Sequence, residues 1–145
     1  MRTRSIGRFT PALGPTVTMH PDAAVAGQVT IGPRTVLWPG SLVQGLYGAV
    51  ELGAEIDVQD DATVTGHVSR TTILGDRCIV GRAARLEGCT LGTGCLIGPG
   101  ALVLPGAVIG DRAVVGAGVV VRRGMRVPGG TLAIGSPARV LSGAG

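Results

Sequence analysis

Lysine is absent from this 145-residue chain, and aromatic side chains nearly so: Phe9, Trp38 and Tyr47 are the whole set. All 13 basic residues other than histidine are therefore arginines, and they are scattered along the chain rather than gathered into a stripe. With almost no aromatic platform for base stacking, a nucleic-acid partner is not expected. The densest basic patch, Arg122-Arg123-Gly124-Met125-Arg126, reads as a solvated corner. Long hydrophobic runs are also missing. No segment approaches 18 apolar residues in a row free of Gly, Pro or charge, which excludes a helical membrane span. The basic N-terminus, Met1 to Arg8, has no hydrophobic stretch of the kind a secretory signal carries, so it reads as a lead-in. Cys78, Cys89 and Cys95 form no Cys-x-x-Cys pair, so a cysteine-clamped structural zinc is not expected. They read as free buried thiols used as small hydrophobes, which fits a reducing, cytoplasmic setting.

What is present in excess is glycine, 26 residues, alongside 9 prolines and a hydrophobic content of 45%. These residues recur with a period of six. The clearest run comprises the units starting at Leu91, Ile97, Val103, Ile109 and Val115, each opening on an aliphatic residue followed closely by Gly or Pro, with Cys or Ala four places on in the first four and Val119 in the last. Spacing six matches neither 3.6 nor 7, and this much Gly and Pro opposes helix. Collagen is excluded because Gly does not recur every third residue. A six-residue unit suits one flat side of a triangular prism, so three units make a coil of 18 residues, and the coils stack as a parallel β-solenoid. The aliphatic and small positions then point inward, and Gly or another compact residue occupies the sharp corners. Ile31, Val58, Val80, Ile97, Val103, Ile109, Val115 and Val121 are the expected core.

Weaker units begin at Val25, Ile31, Leu37, Val43, Leu52, Val58, Val64, Leu74, Val80 and Leu86. Val43 to Leu52 spans nine residues through Gly45-Leu46-Tyr47-Gly48, and Val64 to Leu74 spans ten through Gly66 to Thr71. Both read as excursions from a corner. Leu86 to Leu91 is only five, with Cys89 keeping the inward small position. The expected organisation is a lead-in over residues 1–18, a single β-helix of about six coils over 19–132 and a tail over 133–145, without a substantial C-terminal helix. Cys78 and Cys95 lie 17 residues apart, one coil allowing for the short side, and should stack at about the 4.8 Å strand spacing rather than bond.

Over roughly residues 25–141 the sequence resembles the gamma-class carbonic anhydrase-like group of left-handed hexapeptide-repeat proteins. The resemblance rests on Gly27-Gln28-Val29-Thr30-Ile31-Gly32, Leu37-Trp38, Asp57-Val58-Gln59-Asp60-Asp61, Leu86-Glu87-Gly88-Cys89-Thr90-Leu91-Gly92 and Gly135-Ser136-Pro137-Ala138. It implies the left hand of the solenoid and a homotrimer whose clefts between adjacent subunits hold the active sites. It also implies three metal-binding histidines, and all three are replaced: Thr65 follows the Gln-Asp element, Arg82 stands in Gly81-Arg82-Ala83, and Glu87 stands in Glu87-Gly88-Cys89. Gln44 opens Gln44-Gly45-Leu46, where the family has Arg-Gly-Asp, whereas Gln59 and Asp60 match the family's pattern. The former cleft is thus expected from Gln44, Gln59, Asp60, Thr65, His67, Arg82 and Glu87, with Thr65 and Glu87 from one subunit facing Arg82 of the next.

A hydroxyl, a carboxylate and a permanently protonated guanidinium cannot hold zinc as three imidazoles do. No metal and no cofactor are therefore expected. The losses point to a non-catalytic trimeric scaffold or a binder of a small anionic ligand at the subunit cleft. An acyltransferase of the hexapeptide type is the alternative; its general base would be His67, in an excursion that shapes a cleft, or His20. A carbonic anhydrase or other metal hydrolase with a non-standard site is the third reading.

Overall fold

A computed structural model describes residues 2–141 and shows a left-handed parallel β-helix of triangular section. The first layer holds β1 (Arg2–Arg4), β2 (Ala12–Leu13) and β3 (Thr18–Met19). The second is β4 (Ala24–Ile31) and β5 (Val36–Leu37), and the third β6 (Leu42–Leu52) and β7 (Asp57–Val58). The fourth is β8 (Thr63–Thr65), β9 (Thr72–Leu74) and β10 (Ile79–Val80), and the fifth β11 (Arg85–Glu87), β12 (Thr90–Leu91) and β13 (Leu96–Ile97). The sixth is β14 (Leu102–Val103), β15 (Val108–Ile109) and β16 (Val114–Val115), and the seventh β17 (Val120–Val121), β18 (Arg126–Val127) and β19 (Leu132–Ile134). Finally β20 (Arg139–Leu141) turns back antiparallel onto β19. Seven layers exceed the six that the period alone counts, because β1 and β2, ahead of Met19, already pair with β4.

Each layer contributes one strand segment to each of three faces. The first and second faces join into one twelve-stranded sheet because β4 and β6 run unbroken through the corner they share. The third face is an eight-stranded sheet. In-register parallel pairing puts like on like along the axis. Val43, Val64, Leu86, Val103 and Val121 stack on the first face, and Val58, Val80, Ile97 and Val115 on the third. All nine are buried, as are Ile31 and Ile109. Each layer covers the apolar surface of the next, so a narrow core closes without aromatic side chains. The three cysteines are free and buried in it, Cys78 and Cys95 one layer apart.

The corners differ from expectation in one respect. Between the second and third faces, Thr16, Arg34, Glu55, Arg77 and Arg112 have φ near +60°, a left-handed conformation expected of Gly or compact residues. The strain is roughly 1–2 kcal/mol per residue. The corner peptides offset it by bonding layer to layer: Glu55 N–H to Pro33 O at 2.9 Å, Arg77 to Ala54 at 2.9 Å and Arg112 to Thr93 at 2.8 Å. Long side chains are tolerated because they leave this corner for solvent, as Arg34 and Glu55 do at a 3.6 Å ion pair. No helix among the described residues is long and apolar enough to cross a membrane.

Candidate functional site

Both excursions leave the same corner, between the first and second faces, in adjacent layers. Against Gln28 alone in the second layer, the third inserts Leu46 to Ala49 and the fourth Gly66 to Thr71. Their main chains touch through glycine: a Cβ on Gly66 would stand 1.9 Å from Gly48 O, and one on Gly48 would stand 2.0 Å from His67 O. In the second loop, His67 and Arg70 exchange backbone hydrogen bonds of 3.3 and 3.2 Å around Val68-Ser69. The loop base is closed by Thr72, whose hydroxyl donates to Thr65 O at 2.6 Å.

The first face supplies the floor beside this corner. Gln44, Thr65 and Glu87 stand opposite one another on β6, β8 and β11, their side chains directed outward because Val43, Val64 and Leu86 point in. The loops rise over this column and enclose a pocket of about 360 Å³ lined by Gln44, Leu46, Tyr47, Thr65, His67 and Glu87, with Val68 at its lip. His67 Nδ1 and Glu87 Oε2 are 2.8 Å apart, the carboxylate accepting. Both side chains are reached by solvent, at 25% and 47% exposure. Donation to a carboxylate places a proton on Nδ1, and in the neutral ring that tautomer carries the lone pair on Nε2. Among the described residues Nε2 has no hydrogen-bond partner.

Gly88 makes this orientation sterically possible. It has φ +63°, and an added Cβ would lie 2.8 Å from His67 Cβ and 3.3 Å from Cγ. The imidazole therefore lies across a main-chain stretch that has no side chain.

Of the seven residues expected at the cleft, the chain brings Gln44, Thr65, His67 and Glu87 into one pocket. Asp60 and Arg82 line a different recess with Asp61, Ala83, Pro99 and Gly100, at the corner between the third and first faces. There Ala83 N–H donates to Asp60 O at 2.9 Å, and Gly100 N–H to Arg82 O at 2.8 Å. Gln59 precedes that corner, its N–H bonded to Val80 O. Glu87, expected to face Arg82 of a neighbouring subunit, takes a hydrogen bond from His67 within its own chain. His20 lies apart, its Nδ1 accepting from Asp22 N–H at 3.2 Å as a local cap. Two residues that shape the site, Thr72 and Gly88, were not singled out by sequence reasoning; their signals are a hydroxyl in an inward column and a Gly following a carboxylate.

The metal that the family resemblance implies does not fit these side chains. Thr65 offers only a neutral hydroxyl, Glu87 is engaged by His67, and the permanently protonated guanidinium of Arg82 repels a cation from whichever subunit it comes. Among the described residues no group of three or more His, Cys, Asp or Glu side chains could hold an ion.

Residues 88–123 match the bacterial transferase hexapeptide (six repeats) model. The carnitine operon protein CaiE of Escherichia fergusonii is 32% identical over 85 residues, covering 59% of this chain. The chain spans only 43% of that relative's length. A hexapeptide transferase family protein from Anaplasma phagocytophilum superposes with a TM-score of 0.94 at 27% identity, over 99% of this chain and 85% of that one. A mutant of perosamine N-acetyltransferase from Caulobacter crescentus, solved with CoA and GDP-perosamine, superposes with a TM-score of 0.76 at 30% identity, over 88% and 57%. The six-residue period, the left-handed parallel coils and these similarities agree on the fold: a left-handed parallel β-helix built from hexapeptide repeats, of which residues 88–123 match the transferase hexapeptide model.

Proposed function

We propose that the protein is a trimeric acyltransferase that moves an acyl group from coenzyme A to an amine or hydroxyl, with His67 as general base. The observation that carries this reading is the 2.8 Å His67–Glu87 hydrogen bond at the wall of a pocket. The similarity to a CoA-bound N-acetyltransferase supports it. Of the readings the sequence leaves open, acyl transfer suits the site better than a non-catalytic scaffold, for which an oriented imidazole has no use.

Nε2 of His67 takes the proton from the acceptor as its nitrogen or oxygen attacks the thioester carbonyl. The C–S bond of the tetrahedral intermediate then breaks, and the imidazolium returns the proton to the departing CoA thiolate. Glu87 holds the ring in the tautomer this requires and stabilises the transient imidazolium. Leu46, Tyr47 and Val68 supply apolar walls that lower water access to the thioester. Three-fold assembly would complete the cleft from a neighbouring subunit, and the small anionic ligand expected there is, in this reading, acyl-CoA with its phosphates.

The test is thiol release from acetyl-CoA with a panel of small amines and amino sugars. His67→Gln should lower turnover by about 10²–10⁴-fold, the usual worth of a positioned base. Glu87→Gln should give a smaller loss. Undiminished turnover by folded His67→Gln would refute the assignment and return the scaffold reading.

A further inference from the structure

Among the described residues, Thr72 is one of three buried polar side chains, with Thr35 and Ser41. It occupies an inward column otherwise filled by Val29, Val50, Cys89, Ala107 and Met125. Packing at this position asks for an aliphatic residue, and Val50 directly opposite shows that the shape of valine fits. A hydroxyl there needs a reason, because it must be fully bonded to be tolerated in the core.

Its two bonds supply the reason. Thr72 Oγ1 donates to Thr65 O at 2.6 Å and accepts from Gly88 N–H at 2.7 Å. The first partner belongs to the peptide that leads into the His67 loop. The second belongs to the peptide that immediately follows Glu87. One buried atom thus ties together, across two layers, the main-chain points from which the two members of the pair emerge. Thr35 has the same kind of bonds at a corner without a loop, but they are looser, 3.4 Å to Gly53 O and 3.2 Å from Ile56 N–H.

We infer that Thr72 is a positioning residue for the His67–Glu87 pair: its hydroxyl, not its bulk, sets the separation at which Nδ1–H meets the carboxylate. This rests on the acyltransferase reading only for its catalytic consequence; the geometric claim stands by itself.

The chain has two histidines, so its imidazole signals are few. In ¹⁵N-labelled full-length protein, the hydrogen-bonded Nδ1–H of His67 is identified as the resonance lost in His67→Gln. The expectation is that Thr72→Val loses it while the remaining amide spectrum stays folded, and that Thr72→Ser, which restores the hydroxyl, regains it. Thr72→Ala against Thr72→Ser gives the same comparison if valine disturbs folding. In the thioester assay, Thr72→Val should lower kcat by about tenfold or more with KM little changed, since transition-state positioning rather than binding is lost. Retention of the resonance in both Thr72→Val and Thr72→Ala, its loss in Thr72→Ser, or its absence from wild type would overturn the inference. A wild-type resonance that responds to the hydroxyl, in a protein that releases no thiol, would leave Thr72 in place and overturn the proposed reaction instead.

Discussion

Cys89 sits at an inward position where its thiol stays uncharged, and that has a measurable consequence. Burial pushes the Cys89 thiol up to about 12 from an ordinary 9.0. For Cys78 the hydrogen bond with Cys95, then burial, push in the same direction. A raised folded-state value means that the stabilisation is complete below pH 9 and is lost as pH climbs toward 12, because the unfolded chain gives up the proton first. By pH 10.5 the Cys89 contribution should have fallen by about 2 kcal/mol. Urea unfolding at pH 8 and pH 10.5 checks this: Cys89→Ala should be the less stable protein at pH 8 and lose less on going to pH 10.5. A parallel decline in both proteins would show that Cys89 is not the group responsible. Gly88 offers a second test at this scale. Gly88→Ala imposes a left-handed alanine and drives its Cβ into His67, whereas Gly130→Ala, at φ +69° with nothing within 4 Å and at the corner away from both recesses, imposes the strain alone. Both should lose about 1–2 kcal/mol in chemical denaturation. Only Gly88→Ala should also lose turnover, because only it displaces the imidazole; equal turnover in the two would sink the steric argument.

At the scale of the element, the stacked strands from Val25 to Val121 were legible in the period, while the loops were legible only as departures from it. A period of six exposes every inward aliphatic, because one β-helix face repeats the same two inward positions in each unit. The excursions at Gly45 to Gly48 and Gly66 to Thr71 also stood out, since each breaks that count. What the count does not contain is how two loops from successive layers pack on each other. That contact depends on glycines 48 and 66 meeting main chain to main chain, so the direction of His67 emerges only in three dimensions. Register places Thr65 beside Glu87, and the loop delivers His67 to the same carboxylate, a contact within one chain that the family likeness did not suggest. Thr72 escaped for a related reason: a threonine among valines is ordinary in a β-strand, and its two bonds run to segments distant in sequence. The left-handed corners hid their arginines similarly, since a side chain leaving toward solvent meets no clash to betray it.

For the whole molecule, the two recesses stand at opposite edges of the first face. His67 and Glu87 lie at its border with the second face, Asp60 and Arg82 at its border with the third. A three-fold rotation that turns the first face toward the axis therefore sets the His67 edge of one subunit against the Arg82 edge of the next. Such a head-to-tail contact closes as a ring and repeats three times. The lower part of this face is suited to contact: Arg85, Leu102 and Val120 stand opposite one another on β11, β14 and β17, with Val120 38% exposed. The expected mass in sedimentation equilibrium is three times the 14.5 kDa of the chain. Leu102→Glu would bring three like charges to the apolar contact, a juxtaposition costing several kcal/mol, and should yield the single-chain mass at micromolar protein. It should also raise KM for acetyl-CoA while sparing the His67 Nδ1–H resonance, which lies within one chain. Leu96→Glu makes the control, since Leu96 is equally apolar and 41% exposed but points outward from the third face. If Leu96→Glu dissociated the protein and Leu102→Glu did not, the axis would face the third side, the two recesses would not meet across the first face, and His67 and Glu87 would have to act without a neighbour's help.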